Sequence, residues 1–159
     1  MGAGKSTVGR RLAHRLHLPF VDSDEAIEQA AGLTITEIFE KYGEEAFRDG
    51  ERRVIARLIE GHPKVIATGG GAFMNEQTRA LILERATAIW LEADVNVLAE
   101  RVARRAGSRP LLNGTDPLEK LTALAEARNP IYALAPIHIR SRPLPHEATV
   151  DAIMKALGR

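Results

Sequence analysis

The 159-residue sequence predicts an α/β fold in which a parallel sheet is covered by helices on both faces. Short apolar strands alternate with longer helical patterns at about the spacing of β-α-β crossovers. Two of these strands run directly into acidic residues or glycines, and ligands of open parallel sheets gather at such strand ends. A composition of 45% hydrophobic and 27% charged residues is ordinary for one globular domain, residues 1–159.

The first seven residues, Met-Gly-Ala-Gly-Lys-Ser-Thr, contain part of a phosphate-binding motif. Gly4, Lys5 and Ser6 match the G-K-[ST] end of G-x-x-x-x-G-K-[ST]. Gly2 and Gly4 allow backbone N–H groups to turn inward around a phosphate. Lys5 would place a point charge on the β- and γ-phosphates, and the Ser6 hydroxyl is a hard oxygen that suits Mg²⁺.

The motif is incomplete, because its first glycine and the strand that feeds such a loop would lie before Met1. We therefore expect that the given sequence begins late and that a fifth strand precedes it. For this stretch alone, a glycine-rich N-terminal tail is the alternative. Val8, Leu12 and Leu16 have helical spacing and predict a helix over 8–16, which places the loop at a helix N-terminus that favours an anion.

The next elements are a short strand over 19–22 and a helix over 25–31. Asp22 and Asp24 follow the strand; on an extended segment their side chains would point to opposite sides and serve different purposes. A solvated turn or a helix cap is the alternative for this weak pattern. Gly32 is a plausible cap for the end of the helix.

A capping-box pattern at Thr34 precedes a helix over 37–42. Gly43 interrupts it, and a second helical pattern covers 44–61. Arg48 lies near the start of this second helix. An arginine on a charged helix is usually solvated, and only its context can indicate another role.

The middle of the chain contains a compact apolar strand over 64–68 that runs into three glycines, 69–71. Either the loop needs positive φ angles, or a ligand approaches its backbone closely; a flexible turn is the alternative. The pattern then predicts a helix over 77–86, a strand over 88–92 and a helix over 95–105.

Residues 106–117 form a long irregular segment, and loops of this length inside compact domains are often lids. A helix over 118–128 follows, and Pro130 is expected to stop or kink it. The last strand covers 137–140, and the closing helix covers 148–157.

Composition excludes several classes of protein. The net charge of +1 gives no general reason to expect nucleic acid or an anionic membrane as a partner. The absence of cysteine excludes disulfides and thiolate chemistry, and it fits a reducing cytoplasm. No apolar run approaches the ~20 residues that a membrane span needs.

Taken together, the motifs closely resemble those of the shikimate kinases, small P-loop kinases similar to the nucleoside-monophosphate kinases. The resemblance covers nearly the whole chain. Its motifs are Gly-Ala-Gly-Lys-Ser-Thr (2–7), Asp-Ser-Asp (22–24), Ile-Phe-Glu-Lys-Tyr-Gly-Glu-Glu-Ala-Phe-Arg (38–48), Ala-Thr-Gly-Gly-Gly-Ala (67–72), Arg-Pro-Leu-Leu (109–112) and Arg-Asn-Pro-Ile-Tyr (128–132). The first is shared by many NTPases, whereas the others are specific in this order and spacing.

The resemblance implies a three-layer α/β/α P-loop NTPase fold with a parallel five-stranded sheet. It also implies a substrate-binding helical segment over about 23–52 and a lid over about 104–117. The implied reaction transfers the γ-phosphoryl of ATP, with Mg²⁺, to the 3-hydroxyl of shikimate on the route to chorismate and the aromatic amino acids.

The resemblance also assigns roles to matching residues. Residues on the nucleotide side are Gly2, Ala3, Gly4, Lys5, Ser6, Thr7, Arg105, Arg109 and Arg142. Arg105, alone or with Arg104, packs on the adenine, while Arg109 comes over the phosphates from the lid. The metal is held by Ser6 and, through water, by Asp22. Residues on the substrate side are Asp24, Arg48, Gly69, Gly70, Gly71 and Arg128. The catalytic residues are Lys5, Asp24, which is the candidate base, and Arg109.

The expected partners are shikimate and ATP, for a cytoplasmic monomer that binds neither nucleic acid nor membrane. Two alternatives stay open at this point. One is another small P-loop kinase, acting on gluconate or a nucleotide, although the three glycines and the pair Arg48 and Arg128 disfavour a nucleobase acceptor. The other is an inactive nucleotide-binding module, which the incomplete motif suggests.

Overall fold

The computed structural model describes residues 4–93, 96, 117–140 and 145–159. Its elements, in chain order, are α1 (Lys5–Leu16), β1 (Phe20–Asp22), α2 (Ser23–Ala31), α3 (Ile35–Ile59), β2 (Val65–Ala67), α4 (Glu76–Arg85), β3 (Ile89–Glu92), α5 (Pro117–Tyr132), β4 (Ile137–Arg140) and α6 (His146–Ala156). The four predicted strands are confirmed. The predicted helix over 95–105, apart from Asn96, and the loop over 106–116 lie outside the described residues.

The chain divides into two compact units, which are described separately. The first unit comprises residues 1–8 and 89–159, and the second comprises residues 9–88. The prediction of a single domain is not tested by this division and stays a prediction.

In the second unit, β1 pairs with β2 in parallel, with Phe20 opposite Val65 and Asp22 opposite Ala67. Helices α2 and α3 enclose an apolar cluster of Ile27, Ile38, Phe47 and Val54. A second cluster joins Ile55 of α3, Ala72 of the loop after β2 and Ile82 of α4. These clusters fix the helices and the loop from which the site is built.

In the first unit, β3 pairs with β4 in parallel. Because successive side chains of a strand alternate between faces, Trp90 and His138 share one face of this ribbon. The indole meets the His138 ring edge-on at 5.1 Å between centroids, and the Tyr132 ring lies 6.0 Å away. This aromatic group includes the only tryptophan of the chain.

Most predicted helix signals are confirmed. Thr34 and Glu37 form the predicted capping box, and Gly32 caps the end of α2 with φ 69°. Gly43 interrupts α3 with φ 85° and ψ 173°, as its position predicted.

Two expectations were wrong. Helix α2 begins at Ser23 rather than at residue 25, because the Asp22 side chain accepts hydrogen bonds from the N–H groups of Asp24 and Glu25 and caps the helix. Asp24 therefore lies in the first turn of a helix, and the argument from an extended segment does not apply. Helix α5 does not stop at Pro130 but continues to Tyr132; the carbonyl of the exposed residue Glu126 loses its helical donor, and water can replace it. The alternative that Pro130 kinks the helix stays a prediction.

Candidate active site

The phosphate-loop residues that the structure describes lie at the start of α1, in the first unit. Gly4 has φ 75°, a conformation that favours glycine, and its carbonyl accepts the first helical bond, from Val8 N at 2.9 Å. Lys5 is half-buried, whereas Ser6 and Thr7 are exposed. The first turn of α1 contains no acidic residue, so no carboxylate of that turn opposes an anion at this helix N-terminus.

Ser6, in the first unit, and Asp22, in the second, each carry an oxygen group of the kind that Mg²⁺ prefers. The described residues contain no group of three His, Cys, Asp or Glu side chains arranged to hold a metal. The cap that Asp22 provides for α2 also orients its carboxylate.

Asp24 lies against the first glycine of the loop after β2. A Cβ built on Gly69 would be 3.2 Å and 3.3 Å from the two carboxylate oxygens of Asp24. Any side chain here would crowd that carboxylate. The Asp22 cap holds Asp24 in the first turn of α2, so the carboxylate and the glycine backbone face each other across a fixed, narrow space.

Arg48 lies against the third glycine of the same loop. A Cβ built on Gly71 would be 2.7 Å from Nη1 of Arg48 and 2.8 Å from its Cζ, closer than atoms can approach. The guanidinium also lies 5.1 Å from the centroid of the Phe47 ring, and its side chain is only 21% exposed. The interpretation of Arg48 as a solvated helix residue therefore does not hold.

Glu51 is a member of the site that the sequence analysis missed. Its side chain is 1% exposed, and its Oε1 accepts a 2.7 Å hydrogen bond from Nη1 of Arg48. Burial raises the pKa of the Glu51 carboxyl; the hydrogen bond and charge of Arg48 lower it, and the charge of Asp24 raises it. The spacing offered a signal, because Glu51 is four residues after Phe47 and three before Val54, on the apolar stripe of α3.

Arg128 lies in α5 of the first unit and is half-buried. In the same unit, His146 at the start of α6 lies against the phosphate loop, with its Cε1 3.3 Å from a Cβ built on Gly4. Among the described residues, Nδ1 of His146 has no hydrogen-bond partner. The predicted nucleotide-side residues Gly2, Ala3, Arg105, Arg109 and Arg142 lie outside the described part of the chain.

Comparison with known proteins decides the family. The family model described as shikimate kinase matches residues 1–158. The chain belongs to the shikimate kinase family. It is therefore an α/β P-loop kinase that phosphorylates shikimate with ATP, and the alternatives of a gluconate or nucleotide kinase and of an inactive module do not stand.

Individual relatives agree with this assignment. The shikimate kinase of Zymomonas mobilis is 59% identical over 159 residues, which cover 100% of this chain and 90% of that protein. The crystal structure of shikimate kinase from Bacteroides thetaiotaomicron superposes with a TM-score of 0.91 at 29% identity, covering 100% of this chain and 94% of that one. A shikimate kinase from Acinetobacter baumannii, solved in complex with shikimate, gives a TM-score of 0.86 at 37% identity and covers 99% and 88% of the two chains. These structures confirm the predicted fold class. In the described residues, no helix is long and apolar enough to cross a membrane.

Proposed function

We propose that this kinase transfers the γ-phosphoryl of ATP to the 3-hydroxyl of shikimate and releases shikimate 3-phosphate and ADP. One observation carries the residue-level proposal: Asp24 and Arg48 lie against two glycines of one loop that are only two residues apart. A carboxylate accepts hydrogen bonds from hydroxyls, and a guanidinium offers a planar fork for a carboxylate. Shikimate carries hydroxyls on one side of a six-membered ring and a carboxylate on the other, and the pair of side chains matches this distribution.

Each substrate-side residue has a defined task in this proposal. Asp24 orients the 3-hydroxyl and accepts its proton as the oxygen attacks phosphorus. Arg48 binds the carboxylate of shikimate, and Glu51 holds the guanidinium in place. Arg128 supplies a second cation for that carboxylate. The glycines 69–71 line the pocket, and the absence of side chains at Gly69 and Gly71 leaves room for Asp24 and Arg48 beside the substrate.

The nucleotide-side residues serve mainly to position and neutralise charge, which is what phosphoryl transfer chiefly requires. Lys5 and the loop amides hold the β- and γ-phosphates at the N-terminus of α1. Ser6 and Asp22 would hold Mg²⁺, which when bound neutralises charge on the phosphates. Arg109 approaches the phosphates from a lid over about 104–117, and Arg105 and Arg142 lie beside the adenine. The proposal also includes a cytoplasmic location and a monomeric state for this kinase.

A coupled assay of ADP release tests the proposed acceptor. Shikimate should stimulate ADP release, whereas gluconate and CMP should leave it at the rate seen without acceptor. A ³¹P–¹H correlation spectrum of the product should place the phosphate on carbon 3. Stimulation by gluconate or CMP, or phosphate on another hydroxyl, would contradict the proposal.

Two arginine variants test the carboxylate clamp. Arg48→Ala and Arg128→Ala should each raise the KM for shikimate and leave the KM for ATP nearly unchanged. Arg53→Ala provides the matched control, because Arg53 is an exposed arginine of α3. Calorimetry that found wild-type shikimate affinity in both clamp variants would show that the carboxylate binds elsewhere.

A further inference from the structure

Arg79 of α4 is bound to the loop that carries the three glycines. Its Nη1 donates hydrogen bonds to the carbonyl of Phe73 at 3.1 Å and to that of Met74 at 3.3 Å. The residue is half-buried. These carbonyls come two and three residues after Gly71, so a charged group on the next helix holds the end of the glycine loop.

The rest of the loop is folded tightly between β2 and α4. The N–H of Ala72 bonds the carbonyl of Gly69 at 3.2 Å, and the N–H of Met74 bonds that of Gly71 at 3.2 Å. Ala72 is completely buried, and Phe73 packs on the cluster that contains Ile55 and Ile82.

The glycines themselves contribute little to this order. Consecutive glycines have the largest backbone freedom of any residues, so the loop must be fixed by its ends. Strand β2 fixes the beginning, and Arg79 acts at the other end. Hydrogen bonds from a charged donor are stronger than those between neutral groups, and here one donor nitrogen serves two carbonyls.

We propose that Arg79 is a positioning residue for the shikimate pocket. By holding the carbonyls of residues 73 and 74, it keeps Gly69 against Asp24 and Gly71 against Arg48. It acts through the loop and does not touch the substrate. This inference rests on the proposed function, because it assumes that the pocket beside these glycines binds shikimate.

Kinetics of Arg79→Gln and Arg79→Lys test the proposal. If the loop keeps its binding conformation about a tenth of the time without the guanidinium, the KM for shikimate rises about tenfold in Arg79→Gln. The KM for ATP should stay within about twofold. Arg79→Lys retains a cation that can reach one carbonyl but lacks the planar fork, so its KM for shikimate should lie between those of the wild type and Arg79→Gln. If Arg79→Gln does not fold, the KM of Arg79→Lys still tests the proposal.

Arg85→Gln is the matched control on the same helix. The side chain of Arg85 is 51% exposed, and it forms an ion pair of 3.9 Å with Glu60, whose side chain is 71% exposed. This variant should have wild-type constants for both substrates. An equal rise of both KM values in Arg79→Gln, or no rise for shikimate in either Arg79 variant, would overturn the proposal.

Amide hydrogen exchange provides a readout that does not depend on the reaction. Without ligand, Arg79→Gln should speed exchange at the N–H groups of Ala72 and Met74, and Arg85→Gln should not. Wild-type exchange rates at these two N–H groups in Arg79→Gln would show that Arg79 does not hold the loop. If the wild-type chain released no ADP on addition of shikimate, the proposed function would fail while the exchange result still stood.

Discussion

Substitution of Gly71 by alanine should weaken shikimate binding without unfolding the chain. The new Cβ would lie 2.7 Å from Nη1 of Arg48, whereas favourable contacts between such atoms begin at about 3.5 Å. The guanidinium must therefore retreat by roughly 1 Å. Gly71 does not have a positive φ, so alanine adds no backbone strain and the whole effect falls on Arg48.

The size of the effect follows from the partners of Arg48. The retreat moves the guanidinium away from the position that we assign to the substrate carboxylate, and we expect it to cost one of the hydrogen bonds between the two groups. A hydrogen bond to a charged group is worth about 1.5–3 kcal/mol. Since each 1.4 kcal/mol corresponds to a factor of ten, the Kd for shikimate should rise by roughly 10- to 150-fold.

Isothermal titration calorimetry with shikimate measures this change, and urea denaturation checks the fold. Gly50→Ala is the control, because Gly50 lies in the same helix as Arg48 and a Cβ built on it meets nothing within 4 Å. Gly50→Ala should bind shikimate normally and gain about 0.5–1 kcal/mol of stability, as expected when alanine replaces glycine in a helix. A Kd within twofold of wild type for Gly71→Ala would refute the placement of Arg48 in the pocket.

Three further predictions follow from the site and the helix ends. Because the pKa of Glu51 is raised, the folded chain binds a proton at this carboxyl more tightly than the unfolded chain does. The free energy of unfolding of the wild type therefore contains a stabilising contribution that is lost as the pH rises through the raised pKa. Glu51→Gln removes it, and urea melts should show the stability of the variant relative to wild type increasing with pH; a constant difference would contradict this. Asp24→Asn should lower kcat by ~10²-fold or more in the coupled assay, and near-normal turnover would remove Asp24 from proton transfer. His17 ends α1 with φ 57°, so His17→Gly should raise the free energy of unfolding by about 1 kcal/mol, and an unchanged urea midpoint would show that no strain is stored there.

Local chemistry made much of the fold predictable. The capping box at Thr34, the cap at Gly32 and the break at Gly43 each depend on a few neighbouring residues, and all three are present. The start of α2 was missed because Asp22 served as a cap while its position suggested a strand end. The end of α5 was missed because proline usually ends a helix, whereas here the carbonyl that Pro130 leaves unpaired belongs to the exposed residue Glu126 and can accept a hydrogen bond from water.

The site was harder to predict, because burial is a property of the folded chain. A glutamate three residues after an arginine usually forms a surface pair, and the position of Glu51 on the apolar stripe of α3 is the one local sign that it is buried. Arg79 likewise reads as an ordinary charged residue of a helix, since its role depends on carbonyls of the preceding loop. Asp24 and Arg48 were found because the resemblance supplied a purpose for them. The roles that the resemblance assigns to Arg109 and Arg128 stay predictions.

The aromatic group on the β3–β4 ribbon provides a built-in reporter for one half of the chain. With a single indole, the emission obtained by selective excitation of tryptophan comes from Trp90 alone, whereas the far-ultraviolet circular dichroism samples helices of both units. Coincident denaturation curves from these two signals would mean that residues 9–88 and the remainder melt as one cooperative body. A circular-dichroism transition that precedes the change in indole emission would show that the half with the glycine loop can open while the half with the indole stays folded.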